Sequence, residues 1–516
     1  MKLNYKRTIL VGFAFFLISA FWQAYDNTIA LTLTNKFGMN QFWSGVVMAL
    51  DNVLALFMLP LFGTLSDKHS GKSGRRTPFI RLGTIVAAVA LVCLSFIDNA
   101  QLNSLHAVSD IDDPAARQTL YELHADDKLM TPEGEEFVLS ALYSAEDFAA
   151  ITSTVTNDAG KQVSNPEYVQ YVVPARQAYA AAQTNANPLP LVLFICVLLV
   201  ILVAMATFRS PAVALMPDVT VKPLRSKANA VINLMGTAGG ILVLVLGMVF
   251  ATSNIKNALM SYTAFYGVLA AIMLGALTVF LTTVKEKEWA AQMQSDSIRY
   301  GIEEKEEAGE AKRKLTKSEL FSLICILLSV ALWYFGYNAV TSKYSVYAPN
   351  VLGKDYNTTM LIAQGFAIVA YLPAGMIASK VGRKNTILYG VVMLTAAFGA
   401  AAFMRAGSPT WLMNAMFALA GVAWATINVN SFPMVVEMCS GADVGKYTGF
   451  YYTASMAAQT VTPLLSGYLM DRMGMTVLFP YAAIFVALAF VTMLLTRHGD
   501  NRIIAKQGLE AFDTDD

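Results

Sequence analysis

The chain has 516 residues, of which 56% are hydrophobic and 14% are charged, and its formal net charge is +1. So large an apolar share excludes a soluble globular protein and indicates a polytopic membrane protein. The near-zero net charge points to neither an acidic nor a basic partner, and we expect the lipid bilayer and no nucleic acid around this chain.

Twelve apolar runs follow one another along the chain. A helix that crosses the hydrocarbon core of a bilayer needs about 20 apolar residues, and each run reaches or nearly reaches that length. The runs cover residues 8–31, 42–65, 79–97, 190–208, 227–251, 261–283, 319–341, 359–379, 385–403, 409–431, 447–470 and 477–496. They predict an all-α membrane protein with twelve transmembrane helices in two halves of six.

Two polar segments interrupt this pattern. Residues 98–187 are acidic and predict an ordered extracellular insert between helices 3 and 4, with helical pieces near 115–124 and 168–182. Residues 284–317 are rich in lysine and predict a helical cytoplasmic linker. The chain then divides into an N-terminal half (1–283, including the insert), the linker, a C-terminal half (318–496) and a tail (497–516). Because the insert brings no evident group to the bundle, we expect the bundle to fold without it.

Lysine and arginine are concentrated in every second connection. They precede the first run, follow the second and fourth, and fill the linker, whereas the alternate connections hold few of them. Arg209 is counted here with the connection after the fourth run. Since cytoplasmic loops carry an excess of these residues, we expect both termini in the cytoplasm of a multi-pass protein of the cell membrane.

The connection after the second run carries a charged motif that recurs in the second half. It runs from Gly63 through Ser66 and Asp67 to Gly74-Arg75-Arg76-Thr-Pro78, and its weaker copy runs from Gly375 through Ser379 to Gly382-Arg383-Lys384. A repeated charged hinge between spans is typical of a membrane chain built from two similar halves.

The twelve runs, the central linker and the repeated motif together resemble the major facilitator superfamily over nearly the whole chain except the insert. Within it, the 63–80 motif and the segment Arg209-Ser-Pro211 to Asp218 are similar to the sucrose:proton symporters and the related glycoside–pentoside–hexuronide:cation symporters. The resemblance implies secondary active transport of a di- or oligosaccharide, or a related glycoside, by alternating access. It implies a small-molecule substrate, a proton as co-substrate and a monomer.

The chain departs from these relatives at their coupling sites. Melibiose-type carriers place paired acids in span two, at positions that here read Ala55 and Leu59, and plant sucrose carriers place an acid where this chain has Leu202. The departure makes sodium the less favoured coupling ion and requires another residue for proton coupling.

Charged residues at the helix ends predict a cytoplasmic gate. A cluster of carboxylates and guanidinium groups can clamp one side of a bundle and separate again, because such pairs are individually weak when water reaches them. The candidates are Asp67, Arg75, Arg76 and Asp218 in the first half and Arg383 and Glu437 in the second. The alternative is that these charges only anchor the helix ends.

Two carboxylates, Asp51 and Asp26, are the acids that fall within the apolar runs. An ionisable group in a span is costly and by default indicates function. No lysine or arginine falls at matching depth in the runs, so a low-dielectric site would favour the protonated form and suit proton coupling. Structural hydrogen bonding, for instance between Asp51 and Asn52, is the alternative.

Aromatic and amide side chains within the runs predict a sugar site. Sugars stack on aromatic faces and accept or donate hydrogen bonds to amides and hydroxyls. The candidates are Trp22, Gln23, Asn27, Asn233, Trp333, Tyr337, Asn338, Gln364, Trp424, Asn428 and Gln459.

Other functions are less well supported by the residues. The histidines lie outside the runs, and the runs hold no nucleophile–base set, metal cluster or phosphate loop, so we expect no enzyme, no metal site and no cofactor. A facilitator for a drug or another polar solute remains an alternative, and a membrane sensor that uses the insert is a third.

Overall fold

The computed structural model describes residues 3–71, 73–156, 160, 162–221, 224–299, 315–436, 438 and 444–500. In this part of the chain twelve long helices of 18 to 31 residues form the bundle, which confirms the predicted fold class. In the first half they are α1 (Tyr5–Asn35), α2 (Gln41–Lys68), α3 (Thr77–Ser104), α8 (Leu189–Val219), α9 (Arg225–Val249) and α10 (Thr263–Thr283). In the second half they are α12 (Lys317–Tyr347), α13 (Tyr356–Val381), α14 (Arg383–Ala401), α15 (Thr410–Val436), α16 (Val444–Met473) and α17 (Leu478–Leu495).

Local sequence explains where several helices begin. The Asn4 and Asn40 side chains each accept a hydrogen bond from the backbone three residues on, and Thr316 and Glu319 form a capping box at the start of α12. These caps satisfy N–H groups that the first helical turn leaves free. Within the described residues, nine of the long helices are apolar enough to cross a membrane on length and composition alone, and α13, α14 and α16 complete the bundle.

Both described chain ends lie at one end of the bundle, which we call the terminus end, and the insert lies at the other, the insert end. Within the first half α1 packs on α9 and α3 packs on α8, and within the second half α15 packs on α13 and α14. The halves meet through three pairs of helices, α2 with α16, α9 with α13 and α1 with α12.

The insert is a small folded unit with its own apolar core. Its elements are α4 (Pro114–His124), β1 (Leu129–Met130), β2 (Glu136–Phe137), α5 (Leu139–Leu142), α6 (Ala145–Ala150), β3 (Thr154–Thr156), β4 (Gln162–Ser164) and α7 (Val173–Ala186). The strands pair as two antiparallel hairpins, β1 with β2 and β3 with β4. Leu105, Leu139, Phe148 and Val172 are fully buried in the core, so burial of apolar side chains orders this long connection.

The linker begins as a helix, α11 (Glu286–Arg299), whereas residues 300–314 lie outside the described part of the chain. Of the tail, residues 497–500 are described.

The sequence expectation about charges in the spans is wrong. The helices are longer than the apolar runs, so α3, α8 and α16 include Asp98, Asp218 and Asp471, and α8 and α12 include Arg209 and Lys343. Hydropathy marks only the apolar stretch of a helix, and a polar residue facing a neighbouring helix near an end falls outside it.

Candidate functional site

A cavity of about 600 Å³ lies between the two halves. It is lined from the first half by α1, α2, α8 and α9 and from the second half mainly by α12, α13, α15 and α16. Its size falls within the range of small-molecule sites, and a site at the interface of two halves is a position that alternating access uses.

The first-half wall of the cavity carries its charged groups. Asp26, Asp51 and Arg209 all line it. None of the three makes an ion pair with a residue that the structure describes; the Asn52 amide donates to Asp51 Oδ1 at 2.8 Å, and the Arg209 guanidinium lies 5.8 Å from the centre of the Trp22 ring. Arg209 therefore lines the site and is not part of a connection, so the cavity that holds the two acids also holds a cation that the apolar runs did not include.

Sequence reasoning missed Arg209 because it lies at the border of the fourth apolar run, just before Pro211. The signal that could have placed it is the length of α8, which continues through both prolines to Val219. A helix of this length carries Arg209 well inside the bundle, about 15 Å from its terminus-end tip at 1.5 Å per residue.

The second-half wall of the cavity is aromatic and rich in amides. The Tyr337 and Trp424 rings stack with centroids 3.6 Å apart at 6°, and Tyr334 meets Trp424 edge-on at 5.3 Å. One face of α12 lies on the cavity, since its lining residues recur three or four positions apart. They are Tyr334, Tyr337, Asn338 and Thr341. A flat aromatic wall beside amides suits a solute with both apolar faces and hydroxyl groups.

Two buried polar atoms in the cavity wall have no hydrogen-bond partner among the described residues. They are Trp22 Nε1, a donor, and Gln364 Oε1, an acceptor. Gln364 reaches across the halves and donates through Nε2 to Gln23 Oε1 at 2.7 Å, and Gln23 donates in turn to Asn27 at 3.3 Å. Since unpaired buried polar groups are costly, these atoms are positioned for a bound solute or water.

The structure brings most of the predicted residues together. Ten of them line the cavity: Asp26, Asp51, Trp22, Gln23, Asn233, Tyr337, Asn338, Gln364, Trp424 and Gln459.

Three predicted substrate contacts are not on the cavity wall. Asn27 is buried and accepts from Gln23, Trp333 is 1% exposed in the apolar core, and Asn428 is buried one helical turn beyond Trp424. Trp333 precedes the cavity-lining Tyr334 by one residue, and successive residues of a helix point about 100° apart. Residue type alone does not reveal which face a helix turns to the cavity.

The charged motif forms a compact cluster at the terminus end. Arg75 pairs with Asp218 at 2.6 Å, Arg76 Nε donates to the same carboxylate at 2.8 Å, and Arg76 also pairs with Asp67. Arg76 is 4% exposed and donates further to Ser66 Oγ at 2.5 Å. The cluster joins α2, α3 and α8, all helices of the first half.

Glu286, the first residue of α11, anchors this cluster and was not predicted. Its carboxylate accepts from the backbone N–H groups of Arg75, Arg76 and Thr77 at 2.7–2.8 Å and from the Thr77 hydroxyl at 2.7 Å. It therefore caps the first turn of α3, where the helix dipole favours a negative charge. The repeated motif gave no signal for it, because Glu286 lies in the linker among other charged residues.

The second-half gate candidates are not part of this cluster. Arg383 begins α14 and is 8% exposed. Glu437 lies outside the described residues.

At the insert end the halves are joined by a seam made largely of backbone contacts. Asp471 of α16 accepts from the N–H groups of Gln41 and Phe42 at the start of α2, both at 2.7 Å, and Lys343 of α12 donates to the Gln41 carbonyl at 2.6 Å. Beside them, Gly45 lies so close to Pro463 that a Cβ would not fit. The hydrogen bonds between the halves that the structure describes lie at this end or, for Gln23–Gln364, in the middle.

A second part of the seam joins α9 and α13. The Ser253 hydroxyl donates to Asp355 at 2.5 Å, and the Thr252 and Tyr356 hydroxyls bond at 2.7 Å. Together the two parts hold the halves in contact at the insert end.

The chain is similar to two sequence families and to several solved structures. The sequence model described as Major Facilitator Superfamily matches residues 177–432 and 354–510, and the one described as MFS/sugar transport protein matches residues 10–101.

Two curated relatives, both named MFS-type transporter ppzB, come from Metarhizium rileyi and Metarhizium majus. Each is 26% identical over 141 residues, which is 27% of this chain and 29% or 30% of the relative. The match thus spans less than a third of each relative's length.

Solved structures share the fold over nearly the whole chain. The inward open conformation of the xylose transporter XylE from E. coli has a TM-score of 0.56 and 15% identity, and covers 97% of each chain. A bacterial homologue of the iron transporter ferroportin in an inward-facing state has a TM-score of 0.59 and 12% identity, covering 96% of this chain and 99% of that one. A D-xylose-proton symporter has a TM-score of 0.53 and 15% identity, covering 95% and 97%. At these identities the likeness is one of fold alone.

Proposed function

The chain belongs to the Major Facilitator Superfamily, and we propose that it is a secondary carrier that moves a sugar, such as a di- or oligosaccharide or related glycoside, together with a proton. The observation that carries the proposal is the cavity between the halves. One wall presents aromatic rings and amides, and the other presents carboxyl groups without ion-pair partners in the described chain. Binding by stacking and hydrogen bonds is how a protein recognises a polyhydroxylated solute.

We propose that Asp51, with Asp26 beside it, binds the coupled proton. An ionised carboxylate in a low-dielectric cavity is costly, so it takes up a proton when the cavity faces the more acidic side. Arg209 on the same wall favours release of that proton, because a nearby positive charge stabilises the carboxylate. The carboxyl groups of Asp51 and Asp26 can therefore hold the proton while solute is bound and release it, helped by Arg209, when the cavity is empty.

We propose that the terminus end faces the cytoplasm of a cell-membrane protein. The excess of lysine and arginine at that end supports this orientation. The seam at the insert end would then be the closed outer side, and the conformation would be the inward-facing one. The Arg75–Arg76–Asp218–Asp67 cluster stabilises the first half as a rigid body on the cytoplasmic side.

A second candidate solute is a sugar or small metabolite that carries a carboxylate. The observation that favours it is Arg209, whose guanidinium lines the cavity and makes no ion pair with the described residues. Guanidinium groups recognise carboxylates through paired hydrogen bonds.

The test uses the purified carrier in proteoliposomes. A thermal-shift screen of neutral di- and trisaccharides, acidic sugars and hydrophobic cations selects a solute, and counterflow of the labelled compound then measures exchange. We expect a neutral sugar to exchange and to accumulate when the outside is acidic, with accumulation abolished by a protonophore. Exchange of an acidic sugar alone would favour the second candidate, and exchange of a hydrophobic cation alone would contradict both.

Replacement of Trp424 should weaken sugar binding. We expect Trp424→Ala to raise the half-saturating concentration of solute in counterflow by about tenfold, because the ring supplies the flat wall of the cavity. Trp411→Ala is the matched control, since Trp411 is on the same helix but 72% exposed. Trp424→Phe should restore most of the affinity, and an unchanged half-saturating concentration in Trp424→Ala would remove the ring from the site.

A further inference from the structure

The insert contacts both halves at the insert end. It is covalently part of the first half, between α3 and α8, yet one of its turns reaches the second half. The Pro132 carbonyl accepts from Met475 N–H, between α16 and α17, at 2.7 Å. Glu133 lies 3.8 Å from Arg405, which follows α14. We call residues 132–134 the docking turn.

Two glycines make this contact a close backbone approach. Gly134 has φ +94° and Gly474 has φ +85°, and a Cβ on either would collide with the other segment's backbone. A collision with backbone cannot be relieved by a change of rotamer. The two backbones can therefore lie this close only because positions 134 and 474 are glycines.

The rest of the insert is bonded mainly to the first half, although Ser164 of β4 also lies beside Gly353 of the second half. Gln101 donates to Thr184 at 3.0 Å, and Gln177 donates to Asn35 at the end of α1 at 3.3 Å. Asp112 pairs with Lys256 at 2.9 Å, and the Ser153 hydroxyl and this ammonium hold the pKa of Asp112 below its ordinary value. The insert is thus fixed mainly to the first half, and the docking turn bridges the halves at Met475, four residues after the seam residue Asp471.

We propose that the insert is a strap that holds the insert end closed, and that the docking turn must leave residues 474–475 before the cavity can open on that side. The proposal rests on alternating access, which the fold implies, and not on the identity of the solute. Opening separates Asp471 from the α2 backbone and Pro132 from Met475 together. The strap therefore shifts the conformational equilibrium toward the state described here by the free energy of its own contact.

The strap also bears on the expectation that the bundle folds without the insert. Removal of the insert would delete the docking turn and the contacts of Gln177 and Thr184 with the ends of α1 and α3. We expect a chain that lacks the insert to populate the conformation open at the insert end more than the intact chain does.

The test substitutes one charge of the docking turn without changing a glycine. Glu133→Lys places a like charge against Arg405, whereas Glu135→Lys makes the same change two residues away, on an exposed position with no ion pair to a described residue. Spin labels on Asn103→Cys and Phe403→Cys, in a background without native cysteines, report the distance between the halves at the insert end. We expect Glu133→Lys to increase the long-distance population by about threefold, and Glu135→Lys to match the unsubstituted chain.

A second pair of variants removes the close approach itself. Gly134→Ala should raise the long-distance population more than Glu133→Lys does. Gly160→Ala is the matched control, because Gly160 also has a positive φ of +72° but no described atom lies within 4 Å of a Cβ there. Identical distance distributions for Glu133→Lys and Glu135→Lys would overturn the strap, whatever the glycine variants do. Because the distance measurement needs no solute, failure of the strap is distinguishable from failure of sugar transport.

Discussion

Asp51→Asn is expected to abolish proton-driven accumulation of solute while exchange of solute remains measurable. The amide has the shape of the carboxyl group but cannot bind the coupled proton. It can still accept from Asn52, which donates to Asp51 at 2.8 Å, so the local structure should persist. Counterflow, which needs no net proton movement, should stay within about tenfold of the unsubstituted carrier, whereas accumulation driven by an acidic exterior should fall to background.

Asp26→Asn is the parallel variant, because Asp26 lines the same wall and has no hydrogen bond among the described residues. If both acids share the proton, each variant should lose accumulation. Full accumulation in Asp51→Asn, together with its loss in Asp26→Asn, would place the coupled proton on Asp26. Full accumulation in both variants would contradict proton coupling at this wall.

Glu286→Ala is expected to lower the free energy of unfolding of the first half by roughly 3–5 kcal/mol, because it leaves three backbone N–H groups without an acceptor. These belong to Arg75, Arg76 and Thr77, and Glu286, whose carboxylate accepts from them, is 3% exposed. Loss of the cap should also free the Arg75–Arg76 loop. The measurement is thermal unfolding of the detergent-purified protein.

Glu288→Ala is the matched control for Glu286→Ala. Glu288 is on the same helix, its side chain is 62% exposed, and among the described residues it pairs only with Lys285, at 3.4 Å. We expect its melting temperature to equal that of the unsubstituted chain. Equal melting temperatures for both variants would show that the Arg–Asp pairs stabilise the loop without Glu286.

The architecture was predictable because it depends on the number and spacing of apolar runs. Each predicted run corresponds to one of the twelve long helices, and the helical piece expected near 115–124 is α4. The polar contacts were less predictable, since they join residues distant in sequence. Nothing near Asp471 or Gln41 indicates that a carboxylate of one half caps a helix of the other.

The residues that line the cavity could likewise be predicted only in part from the sequence. Residue type does not reveal the angular position of a side chain on its helix, so the sequence points to Trp333, whereas Tyr334 lines the cavity. Arg209 was assigned to a connection because hydropathy falls at the end of the fourth run, although α8 continues for ten further residues. Helix ends and helix faces are set by packing partners, which a single sequence does not specify.

The Asp471 contact has an evolutionary consequence. Asp471 and Lys343 bind α2 through the main-chain groups of Gln41 and Phe42. Every residue except proline presents the same main-chain groups. Substitutions at positions 41 and 42 can therefore accumulate without removing these bonds, whereas loss of the Lys343 side chain removes one bond and loss of the Asp471 carboxylate removes two. Among descendants of this gene, the second half should retain its side of the closure while the first half drifts.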